Sequence, residues 1–150
     1  MKITWLGHSG FKIEIADQTL LIDPFLSGNP MFPEDRKAEA TDGVTAILVS
    51  HGHGDHVGDV IETAKATGLP VYTMVELGGW LGTKGVENIT AFNKGGTVAI
   101  GDVKVTLVHA THSSSNPDGG YAGGEAGFMI EGEGHTIYFS GDTDVMADMK

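Results

Sequence analysis

The segment from Val44 to Val49 most constrains the fold, because it is apolar at every position except Thr45 and leads into a loop rich in histidine. Such an uninterrupted run is typical of a β-strand that is covered on both faces. Behind the loop, apolar residues recur at helical spacing over 57–64, and Gly68 with Pro70 ends the pattern. The segment therefore predicts a strand–loop–helix unit of an α/β fold, with the polar loop at one edge of the sheet.

The loop carries the pattern H-x-H-x-D-H, formed by His51, His53, Asp55 and His56. Because His51 and His53 are two residues apart, their side chains would point the same way and could bind one ion. Asp55 and His56 could then face a second ion nearby. Imidazole nitrogen and carboxylate oxygen are the ligands that Zn²⁺ prefers where sulfur is absent, and the chain has no cysteine. The alternative is a polar loop with chance histidines, but the pattern would arise by chance in roughly one such chain in a thousand.

Two further candidate ligands follow other predicted strands. His112 comes shortly after a strand predicted over 103–108, and Asp142 follows one predicted over 136–139. Both lie just beyond strand ends, where α/β folds gather functional side chains. An alternative role for Asp142 is the N-cap of a helix that begins near Asp144. His109 competes with His112, but it continues the apolar face of its strand and is interpreted as a core or rim residue.

Taken together, these motifs resemble the metallo-β-lactamase superfamily. The opening segment 5–11, Trp-Leu-Gly-His-Ser-Gly-Phe, and the segment 21–24, Leu-Ile-Asp-Pro, are similar to its small metal-dependent hydrolase branch near the ascorbate-6-phosphate lactonases. The resemblance covers essentially the whole chain. It implies an α/β fold of the αββα sandwich type, formed by one domain over residues 1–150, with a dinuclear metal site at one edge.

The resemblance also implies a role for each candidate residue. The first metal would be held by His51, His53 and His112, and the second by Asp55 and His56, with Asp142 bridging both. Apart from the resemblance, the chemistry of a metal-bound hydroxide suggests that Asp55 could accept a hydrogen bond from it and orient it. Asp23 would steady the histidine loop. His8, in a Gly-flanked loop near the entrance to the metal site, would contact substrate or support a ligand; the alternative for His8 is a plain turn residue. The two divalent ions would be zinc, with manganese and iron as alternatives.

The end of the chain departs from the family pattern. Family members carry one more histidine ligand on a later strand, whereas only eight residues follow Asp142 and none of them is histidine. The last residues, Thr143 to Lys150, read as the first turns of a helix. We therefore expect the chain to be the N-terminal two-thirds of such a domain, with the rest supplied by a C-terminal segment or a second chain; a homo-oligomer is left open.

The metal site predicts hydrolysis of an ester, lactone or phosphodiester in a small-molecule substrate, because two ions can present a bridging hydroxide as nucleophile. Two alternatives remain: a non-catalytic metal-binding module or incomplete subunit, and a di-iron redox protein on the same fold. A net charge of −11, from 9 basic and 20 acidic residues, argues against general nucleic-acid binding. No apolar run approaches a membrane span and no signal-peptide pattern is present, so the expected location is the cytoplasm.

Overall fold

Residues 1–149 are described by a computed structural model and form ten β-strands and four α-helices. The strands are β1 Lys2–Trp5, β2 Phe11–Ile15, β3 Gln18–Ile22, β4 Ala46–Leu48, β5 Val71–Met74, β6 Ile89–Phe92, β7 Thr97–Ile100, β8 Val103–His109, β9 Ala126–Gly132 and β10 His135–Phe139. The helices are α1 Lys37–Thr41, α2 Gly54–Val57, α3 Val60–Thr67 and α4 Val75–Thr83. No helix within residues 1–149 has the length and hydropathy to cross a membrane.

The first sheet has six strands in chain order, β1 to β6. Strands β1, β2 and β3 pair antiparallel, and β3 to β6 pair parallel. Parallel strands end at the same edge of a sheet, and the register pairs Ile22 at the end of β3 with Leu48 at the end of β4. The two segments that follow, one beginning at Asp23 and the other at Val49, therefore leave the sheet side by side.

The second sheet has four antiparallel strands in the order β10-β9-β8-β7. Because β8 and β10 both run antiparallel to β9, their carboxyl ends lie at the same edge. His112 follows the end of β8 and Asp142 follows the end of β10. The two candidate ligands that come late in the sequence thus leave this sheet in the same direction.

The main core lies between the two sheets, whose facing side chains are fully buried. Ile13 and Ile15 of the first sheet and Leu107 and Phe128 of the second are each at most 2% exposed. The sheets approach so closely that a Cβ on Gly132 would lie 3.1 Å from the side chain of Ile15. Burying each of these large apolar side chains contributes roughly 1.5–3 kcal/mol, so the core fixes how the two sheets, and hence the loops at their edges, are arranged.

A helical layer covers the other face of the first sheet. Helix α4 packs against β5 and β6 through the fully buried Leu77 and Leu81. Outward-facing residues of the second sheet, such as Lys104 and Tyr138, are exposed. The described residues therefore form a helical layer followed by two sheets.

The structure differs from the sequence-based prediction in three local features. The single helix expected behind the histidine loop is two helices, α2 and α3, because the chain bends at Gly58 (φ 28°), where a Cβ would lie 2.5 Å from the carbonyl oxygen of Pro24. A helix, α1, lies in the 27–43 segment that was expected to be an irregular surface excursion. The helix expected from Thr143 is reduced to a 3₁₀ turn, Ala147–Met149, and Lys150 lies outside the described residues.

Candidate metal centre

Asp23 is the buried acceptor around which the histidine loop is arranged. One carboxylate oxygen, Oδ1, accepts a hydrogen bond from the backbone N–H of Ser50 at 2.8 Å. The other, Oδ2, accepts one from the Ser50 hydroxyl at 2.5 Å and lies 2.8 Å from Nδ1 of His56. All three side chains have no exposed surface. A buried carboxylate is costly unless its oxygens are paired, so these contacts fix Asp23 and the loop together.

These hydrogen bonds determine which nitrogen of His51 is free. The Ser50 hydroxyl gives its proton to Asp23, so at 3.0 Å it accepts one from Nδ1 of His51. The Nε2 of His51 then carries a lone pair, as a metal ligand requires. Burial, with the nearby His56, lowers the pKa of His51 from 6.5 to about 4, so the ring is neutral near pH 7.

His56 is held in the same way but has one atom without a partner. Its Nδ1 donates to Asp23, which leaves a lone pair on Nε2. Nε2 is fully buried and forms no hydrogen bond, although Oδ2 of Asp142 lies 3.3 Å away. Burial lowers the pKa of His56, but the hydrogen bond and charge of Asp23, with Asp142 and Asp55, outweigh it and raise the pKa overall. An unpartnered buried nitrogen that faces carboxylates is where a cation, or a proton in its absence, would be bound.

Besides the hydrogen-bonded set Asp23, His51 and His56, two further groups of donor atoms converge at this edge. His51, His53 and His112 offer one ligand atom each within 4.8 Å of one another, and so do His8, Asp55 and His56. In the first group, Nε2 of His51 lies 3.1 Å from Nδ1 of His53. Ligands of a tetrahedral zinc ion lie about 3.3 Å apart, because each is about 2.0 Å from the metal. The residues therefore fit a metal ion in two respects: the distance between these nitrogens matches the spacing of zinc ligands, and imidazole is a ligand that zinc prefers.

Asp142 lies between the two groups. Its Oδ2 is 3.3 Å from Nε2 of His56 in one group and 3.6 Å from Nε2 of His112 in the other. No α-helix begins near Asp144 among residues 1–149, so the alternative role of Asp142 as an N-cap finds no helix to cap. A carboxylate oxygen in this position is able to bridge two ions.

The segment 113–125 closes over the histidine loop. A Cβ on Gly52 would lie 2.5 Å from the Cβ of Ala122 and 2.8 Å from the carbonyl oxygen of Ser115. The N–H of Gly52 donates to the hydroxyl of Ser114 at 3.2 Å, and Ser113 Oγ lies 3.3 Å from Nε2 of His53. Glycine is thus required at position 52 by close approach, and the segment positions His53.

The structure brings every sequence-predicted site residue to this edge of the molecule. It also places Ser50, Ser113 and Ser114 in contact with them, and sequence reasoning did not single these serines out. The sequence does contain one indication for Ser50, because this residue lies between the buried strand and the first histidine. His109 and His135 are exposed and lie outside the two donor groups.

Comparisons with known proteins agree with this arrangement. Residues 18–150 match the sequence model described as "Beta-lactamase superfamily domain". The chain is 60% identical over 154 residues to a UPF0173 metal-dependent hydrolase of Dinoroseobacter shibae, in an alignment that covers 100% of this chain and 66% of that protein. The chain thus spans slightly less than two-thirds of the length of this curated relative.

Solved structures show the same fold. A metallo hydrolase of the archaeon Ignicoccus hospitalis, Igni18, superposes with a TM-score of 0.81 at 28% identity, over 98% of this chain and 63% of that one. CmlA, a diiron β-hydroxylase of Streptomyces venezuelae, superposes with a TM-score of 0.72 at 20% identity, over 92% of this chain and 28% of that one. At that identity the second likeness shows the fold alone.

The two facing sheets with a histidine-rich loop at their edge define the metallo-β-lactamase class of fold. The chain belongs to the β-lactamase superfamily, as the match over residues 18–150 shows. The resemblance and the fold class predicted from the sequence are therefore confirmed, and groups of histidine and aspartate that could hold a metal are present.

Proposed function

We propose that this chain carries the metal centre of a metal-dependent hydrolase that acts on an ester, lactone or phosphodiester bond of a small molecule. The observation that carries the proposal is the convergence of two donor groups on Asp142, with the buried Nε2 of His56 left without a hydrogen-bond partner. The name of the Dinoroseobacter shibae relative, a metal-dependent hydrolase, supports the same reaction class.

The first group would hold one divalent ion through His51, His53 and His112. The second ion would be held by Asp55 and His56, and Asp142 would contact both. Imidazole and carboxylate ligands suit zinc, and also manganese and iron. When bound, two such ions supply an activated water and polarise the bond under attack.

The chain's own residues would orient the metal ligands and the attacking water. Asp23 and Ser50 fix the tautomers of His51 and His56 so that both Nε2 lone pairs face the site. The Asp55 side chain is 45% exposed, unlike the buried His56, so its carboxylate meets both the site and the solvent. Asp55 is therefore the residue that we assign to accepting a hydrogen bond from the attacking water and to orienting it.

The proposal is tested with purified chain loaded with zinc or manganese and offered model esters, lactones and phosphodiesters. We expect turnover of at least one class, and loss of both metal and turnover in His53→Ala. The control is His135→Ala, since His135 is an exposed histidine outside the donor groups.

Other outcomes would contradict hydrolysis in distinct ways. Stoichiometric iron with no hydrolysis of any model substrate would favour the di-iron redox alternative. One weakly held ion and no turnover would favour a non-catalytic metal-binding module or an incomplete subunit.

A further inference from the structure

The imidazole of His8 reaches the second donor group from a different part of the chain. His8 lies in the loop between β1 and β2, whereas Asp55 and His56 belong to α2. Its Nε2 lies 3.2 Å from Oδ2 of Asp55, and the ligand atoms of all three residues lie within 4.8 Å of one another. The ring also packs edge-on against the rings of His56 and Phe25, with centroids 5.4 and 5.9 Å away.

The backbone holds His8 in this position at a cost. His8 has a φ of 51°, in the left-handed region that few non-glycine residues adopt. The conformation is fixed on both sides, since the indole N–H of Trp5 donates to the His8 carbonyl at 2.8 Å and the Leu6 N–H donates to Gly10 at 2.8 Å. Backbone strain of this kind persists only where the surroundings determine it, and it clusters at ligand-binding positions.

The contact with Asp55 does not by itself account for this arrangement. The side chains of His8 and Asp55 are 39% and 45% exposed, and exposed ion pairs contribute little to stability. The separation of 3.2 Å is close to the roughly 3.3 Å between neighbouring ligands of a tetrahedral zinc ion. His56 belongs to the same donor group, and its buried Nε2, which has no hydrogen-bond partner, is an independent observation that points to a cation there.

We propose that His8 is a direct protein ligand of the second metal ion, through Nε2, rather than a residue that only supports a ligand or contacts substrate. The second ion then has three donors from this chain besides Asp142, the same number as the first ion has from His51, His53 and His112. The inference rests on the proposed function, because it assigns a ligand to that metal centre.

The test is zinc binding by the variant His8→Gly, which removes the imidazole and also relieves the left-handed backbone. Wild-type and variant chains are loaded with zinc ions alone, and the bound metal is measured by elemental analysis and by competition with a chromogenic chelator. We expect two zinc equivalents in the wild type and one in His8→Gly. The dissociation constant of the second ion should rise by more than the roughly 10- to 100-fold that loss of a merely supporting residue costs, while that of the first ion is retained. Added imidazole should restore the second equivalent.

The matched control is Ala16→Gly, because Ala16 has the same φ of 51° in the turn between β2 and β3 and its methyl group forms no ion pair. The change in its thermal unfolding gives the effect on stability of relieving a left-handed backbone strain. Its zinc content should equal that of the wild type. Two tightly bound equivalents in both the wild type and His8→Gly would overturn this inference and leave the proposed metal centre intact. A wild type that binds no zinc, manganese or iron would overturn both.

Discussion

The variant Asp23→Asn isolates the hydrogen-bond network that holds the histidine loop. Asparagine has nearly the shape of aspartate and tolerates the left-handed backbone at this position, where φ is 44°. It replaces one acceptor oxygen by an NH₂ group, however, and three donors currently converge on the carboxylate. If its oxygen keeps the bond to the Ser50 N–H, the NH₂ group faces the Ser50 hydroxyl and Nδ1 of His56.

The size of the loss in stability and in metal affinity depends on how the Ser50 hydroxyl and Nδ1 of His56 respond. A buried donor left unsatisfied costs about 1–3 kcal/mol, and reorientation of the Ser50 hydroxyl relieves one of the two conflicts. We therefore expect the free energy of unfolding of the metal-free chain to fall by about 1–3 kcal/mol. His56 relieves the other conflict by moving its proton to Nε2, the atom assigned to the metal. Metal affinity should therefore fall by about 10- to 100-fold.

Two measurements on the same protein separate these effects. Urea denaturation in excess chelator gives the change in unfolding free energy, and chelator competition gives the change in zinc affinity. The control is Asp35→Asn, which removes an exposed carboxylate within the 3₁₀ turn Glu34–Arg36. If Asp23→Asn matched this control in both measurements, the reasoning about the buried network would be wrong.

Two further predictions concern the histidine loop. Because the folded-state pKa of His51 is about 4 against 6.5 in the unfolded chain, only the unfolded chain binds this proton between those values. The metal-free wild type should therefore lose stability relative to His51→Gln, by up to about 3 kcal/mol, as pH falls from 6.5 towards 4. A constant difference between the two denaturation series would refute this. Gly52→Ala should destabilise the chain by about 1–3 kcal/mol, because its Cβ meets Ala122. Gly54→Ala, where the Cβ meets open space, should change the unfolding free energy little, and equal effects would contradict the packing argument.

Much of the fold and the site follows from local sequence patterns. Strand ends are marked by apolar runs that stop, and α/β folds gather functional side chains just beyond them. The positions of His112 and Asp142 could be predicted in this way. The α/β class and the strand before His51 follow from the same periodicity. These features depend on residues that are near one another in the sequence.

The remaining features depend on contacts between distant segments. The bend at Gly58 arises because the chain after β3 passes too close for a side chain, and no local pattern records that approach. The contact between His8 and Asp55 depends on a left-handed backbone in one loop and the start of a helix in another. Helix α1 does not follow from the sequence, because Gly28, Pro30 and Pro33 dominate the local signal around it.

The proposed metal centre is tested most directly by the metal content of the wild-type chain beside that of His51→Ala. Each protein is loaded with zinc, freed of loosely bound metal by dialysis, and measured by elemental analysis with the protein concentration known. We expect about two equivalents in the wild type, loss of the ion held by His51 in the variant, and retention of a folded chain in thermal unfolding. A wild type that holds no more metal than folded His51→Ala would contradict the proposed metal centre.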